Sequence, residues 1–346
     1  MSAQLARRFT GAANHARSAE HSRTAPWRTA CILAPTMTDP QRPFVVVLAG
    51  GEGSRLASLT RALYGSDLPK QFAVISGERS LLQTTIERAM ALTTLDRISV
   101  VVTAHHERLA RTQIAPYPGV ELVVQPANLD TAPGMLLPLV RILARTWNAR
   151  VVFLPSDHYV PDPAPIARAL ADVDRSDAHR RLALVGVAPS GPEVEYGWIV
   201  RGARIARSQA FGVRRFHEKP SQPAADELWR SGGLWNTFIS TGPVDVYWEL
   251  ARRYLPDHAA ALERYAVAIG GLGEAGALDG AYRMMAAANF SRDVLARAAD
   301  TLAVLPVAGT GWSDWGSPAR VFASLAGTEN HDRLVGRIRG DVALAG

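Results

Sequence analysis

From residue 43 to residue 187 the chain repeats one rhythm without a break: a short run of β-branched residues, then a longer amphipathic stretch. The runs at 44–48, 98–103, 120–125, 151–154 and 182–187 carry the strand pattern, and 80–92, 105–113, 131–147 and 165–173 the helical one. Apolar strands separated by helices pack as a parallel sheet covered on both faces. The rhythm therefore predicts an α/β fold of three layers, α/β/α. After Pro189 it changes to short strands at 197–200, 210–217 and 235–240, which predicts a mixed or antiparallel extension of the sheet. Helices at 243–254, 259–267 and 293–298 and a last strand at 303–307 complete the pattern. No Pro/Gly/Ser linker interrupts 43–326, so that segment reads as one domain, followed by a tail at 327–346.

Charge decides which partners are excluded. The net charge is +6 with a pI near 9.8, but Arg7, Arg8, Arg17, Arg23 and Arg28 against Glu20 place +4 of it within residues 1–36. The remainder shows no basic stripe with interleaved aromatics, so no nucleic-acid partner is expected. The N-terminal stretch has no apolar run long enough for a signal peptide or membrane helix, and no membrane partner is expected either. Residues 1–42 read as a disordered or spurious extension, with Met37 just before the first strand as the simpler start. Cys31 is the only cysteine, which rules out an intrachain disulfide and a cysteine-rich metal site and fits a cytoplasmic location.

Thirty-six arginines stand against two lysines, Lys70 in Pro69-Lys70-Gln71-Phe72 and Lys219 in Glu218-Lys219-Pro220. Lys is a compact, mobile point charge and Arg a rigid planar fork. Two lysines kept in this background, both in Pro-anchored motifs, mark two positions where a point charge is required.

The first strand runs into Leu48-Ala49-Gly50-Gly51-Glu52-Gly53-Ser54-Arg55-Leu56, a glycine-rich turn whose backbone amides are suited to phosphate oxygens. Leu56 stands where a dinucleotide fingerprint needs glycine, and no Gly-Lys-Ser/Thr ends the turn as a Walker loop would. Two aspartates close later strand-like runs, Asp157 in Leu154-Pro155-Ser156-Asp157-His158 and Asp314 in Trp312-Ser313-Asp314-Trp315-Gly316-Ser317. Carboxyl ends of strands form the crevice of an open α/β sheet, and Mg²⁺ takes one or two carboxylates plus substrate phosphates. Asp157 and Asp314 suit that pair, with turn or helix-cap roles as the alternative for each. His158 reads as structural, and Ser156 lacks a nucleophile elbow.

These motifs, with Trp235-Asn236, occur in one order over residues 43–325, and in that order the chain resembles the sugar-phosphate nucleotidyltransferases, most closely the mannose-1-phosphate guanylyltransferase branch. The resemblance implies a Rossmann-like three-layer α/β/α nucleotidyltransferase fold with a mixed, mostly parallel sheet. It implies that Gly50, Gly51 and Gly53 hold the nucleotide phosphates, that Arg55 grips the departing pyrophosphate, and that Lys70 lies between the attacking phosphate and the α-phosphate. Gln125, Asn128 and Thr131 would lie near the base, and Asp157 and Asp314 would bind Mg²⁺. Tyr196, Gly197, Glu218, Lys219, Asn236 and Thr237 would surround the sugar phosphate, Lys219 on its phosphate and Glu218 on sugar hydroxyls.

The implied reaction is in-line attack of mannose 1-phosphate on the α-phosphorus of GTP, giving GDP-mannose and pyrophosphate. Three segments depart from the family pattern: Ala57-Ser58 for Trp-Pro, Leu129-Asp130 for Arg-Asn, and Thr237-Phe238-Ile239 where Ser-Gly and a hydrophobic residue normally follow Asn236. Loss of that glycine is expected to change how closely the backbone approaches the sugar. Thymidylyl or uridylyl transfer, or a non-catalytic nucleotide-sugar-binding regulator, stand as alternatives. No isomerase-like domain or hexapeptide repeat follows the last motif, and the oligomeric state, monomer or homodimer, is open.

Overall fold

The computed structural model describes residues 42–340. The expected N-terminal extension, except for residue 42, lies outside them, as do Cys31 and residues 341–346. The strands are β1 Phe44–Leu48, β2 Ile98–Thr103, β3 Glu121–Gln125, β4 Arg150–Pro155, β5 Ala183–Val187, β6 Gly197–Arg204, β7 Phe211–Glu218, β8 Leu234–Pro243 and β9 Ala303–Val307. They form one sheet in the order β3-β2-β1-β4-β8-β5-β9-β7-β6, with β8 also pairing β6. Neighbours β3, β2, β1 and β4 are parallel, as are β5 and β9, whereas β8 is antiparallel to β4 and β5 and β7 is antiparallel to β9 and β6. Only β7 and β8 therefore run against the common direction, which is the mixed, mostly parallel sheet expected.

Alternating residues feed two cores. Val45 and Val47 of β1 face one hydrophobic cluster, and Phe44 and Val46 the other. The first is covered by α2 Leu81–Met90, α3 Glu107–Ile114 and α5 Ala164–Asp174, and the second by α4 Thr131–Arg145, α7 Val244–Tyr254, α8 Pro256–Ala266 and α9 Glu274–Met284. The outer helix α6 Gln222–Arg230 covers Trp198. A third cluster gathers α1 Ala57–Tyr64, α10 Pro318–Leu325 and α11 Glu329–Arg339 around Trp315. The folded body thus continues past residue 326, where the sequence reading began a tail, because Leu334 is fully buried in this cluster. No helix among the described residues is long and apolar enough to cross a membrane.

One irregularity sets up the site. Strand β8 pairs with β5 at Ser240↔Leu184 and again at Asn236↔Gly186, so residues 237–239 stand opposite Val185 alone. This β-bulge bends the strand, and the pairing of β8 with β4 ends at the same point, Phe153↔Ser240. Beyond it, the ends of β4 and β8 line a common cleft instead of a shared ladder.

Candidate active site

The cleft has a volume of about 560 Å³ and opens at the carboxyl ends of β1 and β4. Twelve of the sixteen residues singled out from sequence line it: Gly50, Gly51, Arg55, Gln125, Asn128, Thr131, Asp157, Tyr196, Gly197, Glu218, Asn236 and Asp314. Two sequence segments more than 150 residues apart, 48–55 and 218–238, reach one space because β1 and β8 both flank β4, and because β6, which pairs Gly197 with Glu218 of β7, also pairs with β8.

The glycine turn is braced from below. Gln71 Nε2 donates to the carbonyls of Ala49 at 3.2 Å and Gly51 at 2.6 Å. Gly53 has φ +64°, and a Cβ there would lie 2.6 Å from the Lys70 amide nitrogen and 2.9 Å from Pro69 Cα. The Pro69-Lys70-Gln71-Phe72 motif is thus the platform on which the turn rests, which explains why Gly53 is needed although it does not face the cleft. A Cβ at Gly50 would meet Gln125 Nε2 at 2.8 Å, so the turn also packs on the end of β3. There the Tyr282 hydroxyl donates to Gln125 Oε1 at 3.2 Å, and Asn128 Nδ2 donates to Glu52 Oε1 at 3.0 Å.

Lys70 is not a wall residue. Its side chain is only 2% exposed, with Nζ donating 2.6 Å to the Asp314 carbonyl and 3.4 Å to the Trp315 carbonyl, and lying 3.1 Å from Asp157 Oδ2. The sequence reading placed it among the phosphates, and the structure places it one layer behind, on Asp157. Burial pushes the Asp157 carboxyl up, but the adjacent Lys70 ammonium holds it below the usual carboxylate range. His158 itself is pushed down by burial, and its Nδ1 accepts from the Trp312 indole at 3.3 Å, consistent with a neutral ring in a supporting role.

Asp314 is held more tightly. Its Oδ1 accepts from the Tyr196 hydroxyl at 2.7 Å, the Gly316 amide at 2.9 Å and Arg320 Nη1 at 3.0 Å, and Arg55 Nη1 lies 3.8 Å from Oδ2. Burial opposes ionisation, yet the Tyr196 hydroxyl bond, with Arg320 and Lys70 nearby, keeps the carboxyl below its ordinary value. The Tyr196 phenol is pushed up by burial and by the Asp314 charge. Arg320 also binds Glu193 and stacks over the Tyr196 ring at 4.8 Å. Neither Arg320 nor Glu193 is signalled by a motif, but a buried aspartate at residue 314 demands a cation partner. Two carboxylates on one cleft are the hard oxygen donors Mg²⁺ takes alongside phosphates, and no cluster of three such side chains occurs among the described residues.

At the other end, a Cβ on Gly197 would meet Glu218 Oε2 at 3.0 Å, so glycine makes room for that carboxylate. Burial raises the Glu218 pKa. Lys219 sits on the rim, with Nζ 3.8 Å from Glu195 Oε2 and its side chain 57% exposed. Thr237 is turned away from the cleft. Its hydroxyl donates to the Val185 carbonyl at 2.8 Å and accepts from the Ile239 amide at 3.2 Å, so it clasps the bulge, and Phe238 lines the cleft in its place.

Residues 44–328 match the nucleotidyl transferase family. The chain belongs to that family. It is 32% identical over 212 residues to a mannose-1-phosphate guanylyltransferase of Salmonella montevideo, covering 59% of this chain and 44% of that one. Another from Salmonella typhimurium is 28% identical over 306 residues, covering 86% and 61%. The chain thus spans roughly half the length of these two relatives. A crystal structure described as mannose-1-phosphate geranyltransferase from Thermus thermophilus superposes with a TM-score of 0.70 at 29% identity, covering 83% of this chain and 80% of that one.

Within this family fold, backbone strain collects at the cleft. Five non-glycine residues among those described have positive φ: Asp130, Arg207, Lys219, Phe238 and Trp315. Asp130 and Phe238 line the cleft, and Lys219 and Trp315 directly follow its Glu218 and Asp314. Such conformations persist only where the surrounding structure enforces them, and they cluster at ligand sites.

Proposed function

We propose that this nucleotidyltransferase joins GTP and mannose 1-phosphate, giving GDP-mannose and pyrophosphate. The observation that carries the reading is the cleft itself, lined by a glycine turn with Arg55, by Glu218 and Asn236, and by the two aspartates Asp157 and Asp314. Family membership and the two guanylyltransferase relatives support the choice of substrates.

In this reading the amides of Gly50 and Gly51 hold the triphosphate, and Gln125, Asn128 and Thr131 bound the base subsite. Glu218 and Asn236 take the sugar, with Lys219 reaching its phosphate from the rim. A phosphate oxygen of the sugar 1-phosphate attacks the α-phosphorus in line as the bond to pyrophosphate breaks. The nucleophile is already an anion and needs no general base. Holding two polyanions in line is worth about 7 to 11 kcal/mol, and each preorganised donor about 3 to 4. Arg55 neutralises the leaving pyrophosphate. Lys70 acts through Asp157, fixing the carboxylate that faces the reacting phosphates. Asp157 and Asp314 would hold Mg²⁺, which when bound supplies charge neutralisation at the phosphates. The reaction is assigned to the cytoplasm.

The test is pyrophosphate release by the full chain with each of GTP, dTTP, UTP and ATP, paired with mannose 1-phosphate or glucose 1-phosphate, in Mg²⁺. GTP with mannose 1-phosphate should turn over at least tenfold faster than any other pair. Preference for dTTP or UTP would replace the guanylyl assignment, and tight GDP-mannose binding without turnover would turn the protein into a regulator.

A further inference from the structure

The bulge in β8 does more than end a ladder. At its apex Phe238 holds φ +60°, a conformation in which a β-carbon crowds the backbone and which glycine adopts freely. Three contacts enforce it: the Phe238 amide donates to Asn236 Oδ1 at 3.2 Å, and the Thr237 hydroxyl ties the bulge to Val185 and Ile239. A side chain kept at a strained position by this much support has a use for its direction. Phe238 packs on the core cluster of α4 and α7 on one side and lines the cleft on the other, in the end that also holds Glu218 and Asn236. The polar groups there suit hydroxyls, and among the lining residues at that end Phe238 supplies an apolar aromatic surface.

We infer that Phe238 is a specificity-determining residue for the sugar phosphate, the bulge aiming its ring so that the apolar C–H face of a hexose ring lies against it while the hydroxyls meet Glu218 and Asn236. This rests on the guanylyltransferase reading, and it assigns the acceptor class as a pyranose 1-phosphate presenting one flat C–H face. A bare phosphate or a linear polyol phosphate lacks that face and gains nothing from the ring.

Calorimetric Kd values for mannose 1-phosphate and for GTP on wild type, Phe238→Gly and Phe238→Leu test it. Phe238→Gly, which releases the strain but also gives up the packing of the ring on the core cluster, should bind mannose 1-phosphate about tenfold more weakly with GTP affinity within twofold. Phe238→Leu keeps bulk and strain but not the flat face, and should lose sugar-phosphate affinity without gaining stability. Unchanged sugar-phosphate binding in both variants, or equal loss of GTP binding, overturns the inference while leaving the reaction assignment standing. Wild-type protein that binds neither ligand removes the guanylyltransferase reading and the inference with it.

Discussion

The floor of the cleft and its sugar-side rim each contain one of the chain's two lysines, and the two have opposite surroundings. On the floor, the Lys70 ammonium has three oxygen neighbours, the carbonyls of Asp314 and Trp315 and the carboxylate of Asp157, in a site almost closed to water. On the rim, Lys219 has one partner at 3.8 Å and more than half its surface in solvent. An ammonium carries three donors around a point, and the floor offers three acceptors around a point. A guanidinium spreads its donors in a plane, which the rim tolerates and the floor does not. Lysine is therefore required on the floor by the shape of a cage, whereas on the rim only charge and reach are asked for.

The contrast breaks most easily at the floor. Lys70→Arg should lower turnover about a hundredfold or more although the charge is kept, because the fork displaces Asp157 or the 314–315 backbone. Lys70→Met should cost about 2 to 3 kcal/mol of stability, read by urea unfolding, since it leaves Asp157 facing the cleft uncompensated. This lies at or below the full penalty for a buried pair because the Asp157 side chain is 32% open to solvent. Wild-type-like turnover in Lys70→Arg would show that the cage is loose and that the two lysines differ only in exposure.

The two halves of the cleft were also unequally readable from sequence. Strands β1, β2 and β9 begin and end at the expected residues, because each is a short, largely buried and mostly apolar run bounded by turn chemistry. Helix α4 was legible despite Pro138 because its apolar face is long. Helices α1, α6, α9, α10 and α11 were not expected. Two of them open on Pro-containing first turns, and α9 carries Gly276 and Gly280, which weaken any periodic signal. In the site, motif order picked out the wall residues well, but it could not tell Thr237 from Phe238. Alternation does tell them apart: counting from Asn236, which lines the cleft, it turns 237 away and 238 toward it, and the two extra residues opposite Val185 keep that parity. Gln71 was read only as part of its motif, and Tyr282 and Arg320 carry no motif at all: the contacts of these three with Gly51, Gln125 and Asp314 exist only in the fold.

At the rim the expected effects are smaller and of a different kind. Lys219→Arg should remain within about threefold of wild type in both kcat and the KM for mannose 1-phosphate. Lys219→Ala should raise that KM about tenfold, increasingly masked as salt rises, with stability unchanged within about 0.5 kcal/mol. Steady-state kinetics at two ionic strengths reads both. If Lys219→Arg were as damaging as Lys70→Arg, the rim would have to close into a second cage when substrate arrives.

The finest test concerns Glu218, which lies beside Lys219 in sequence but faces inward. Burial raises its pKa in the folded protein above the ordinary carboxylate value near 4.3, so the folded state binds its proton more readily than the unfolded chain does. Stability then falls as pH rises through the folded pKa, and below the unfolded value the effect is gone because both states are protonated. Gln at this position is neutral at every pH. Glu218→Gln should therefore melt about 1 to 2 °C above wild type at pH 7, and the gap should close as pH falls toward 4.3. Affinity should move the other way. Wild type loses an acceptor for sugar hydroxyls as Glu218 protonates, so its KM for mannose 1-phosphate should climb toward acid pH relative to that of the variant. Both proteins meet the same titrating sugar phosphate, and the ratio of their KM values isolates Glu218. A melting gap that ignores pH would mean that water reaches this carboxylate as freely as it reaches Lys219, and the inward-facing wall would be part of the rim.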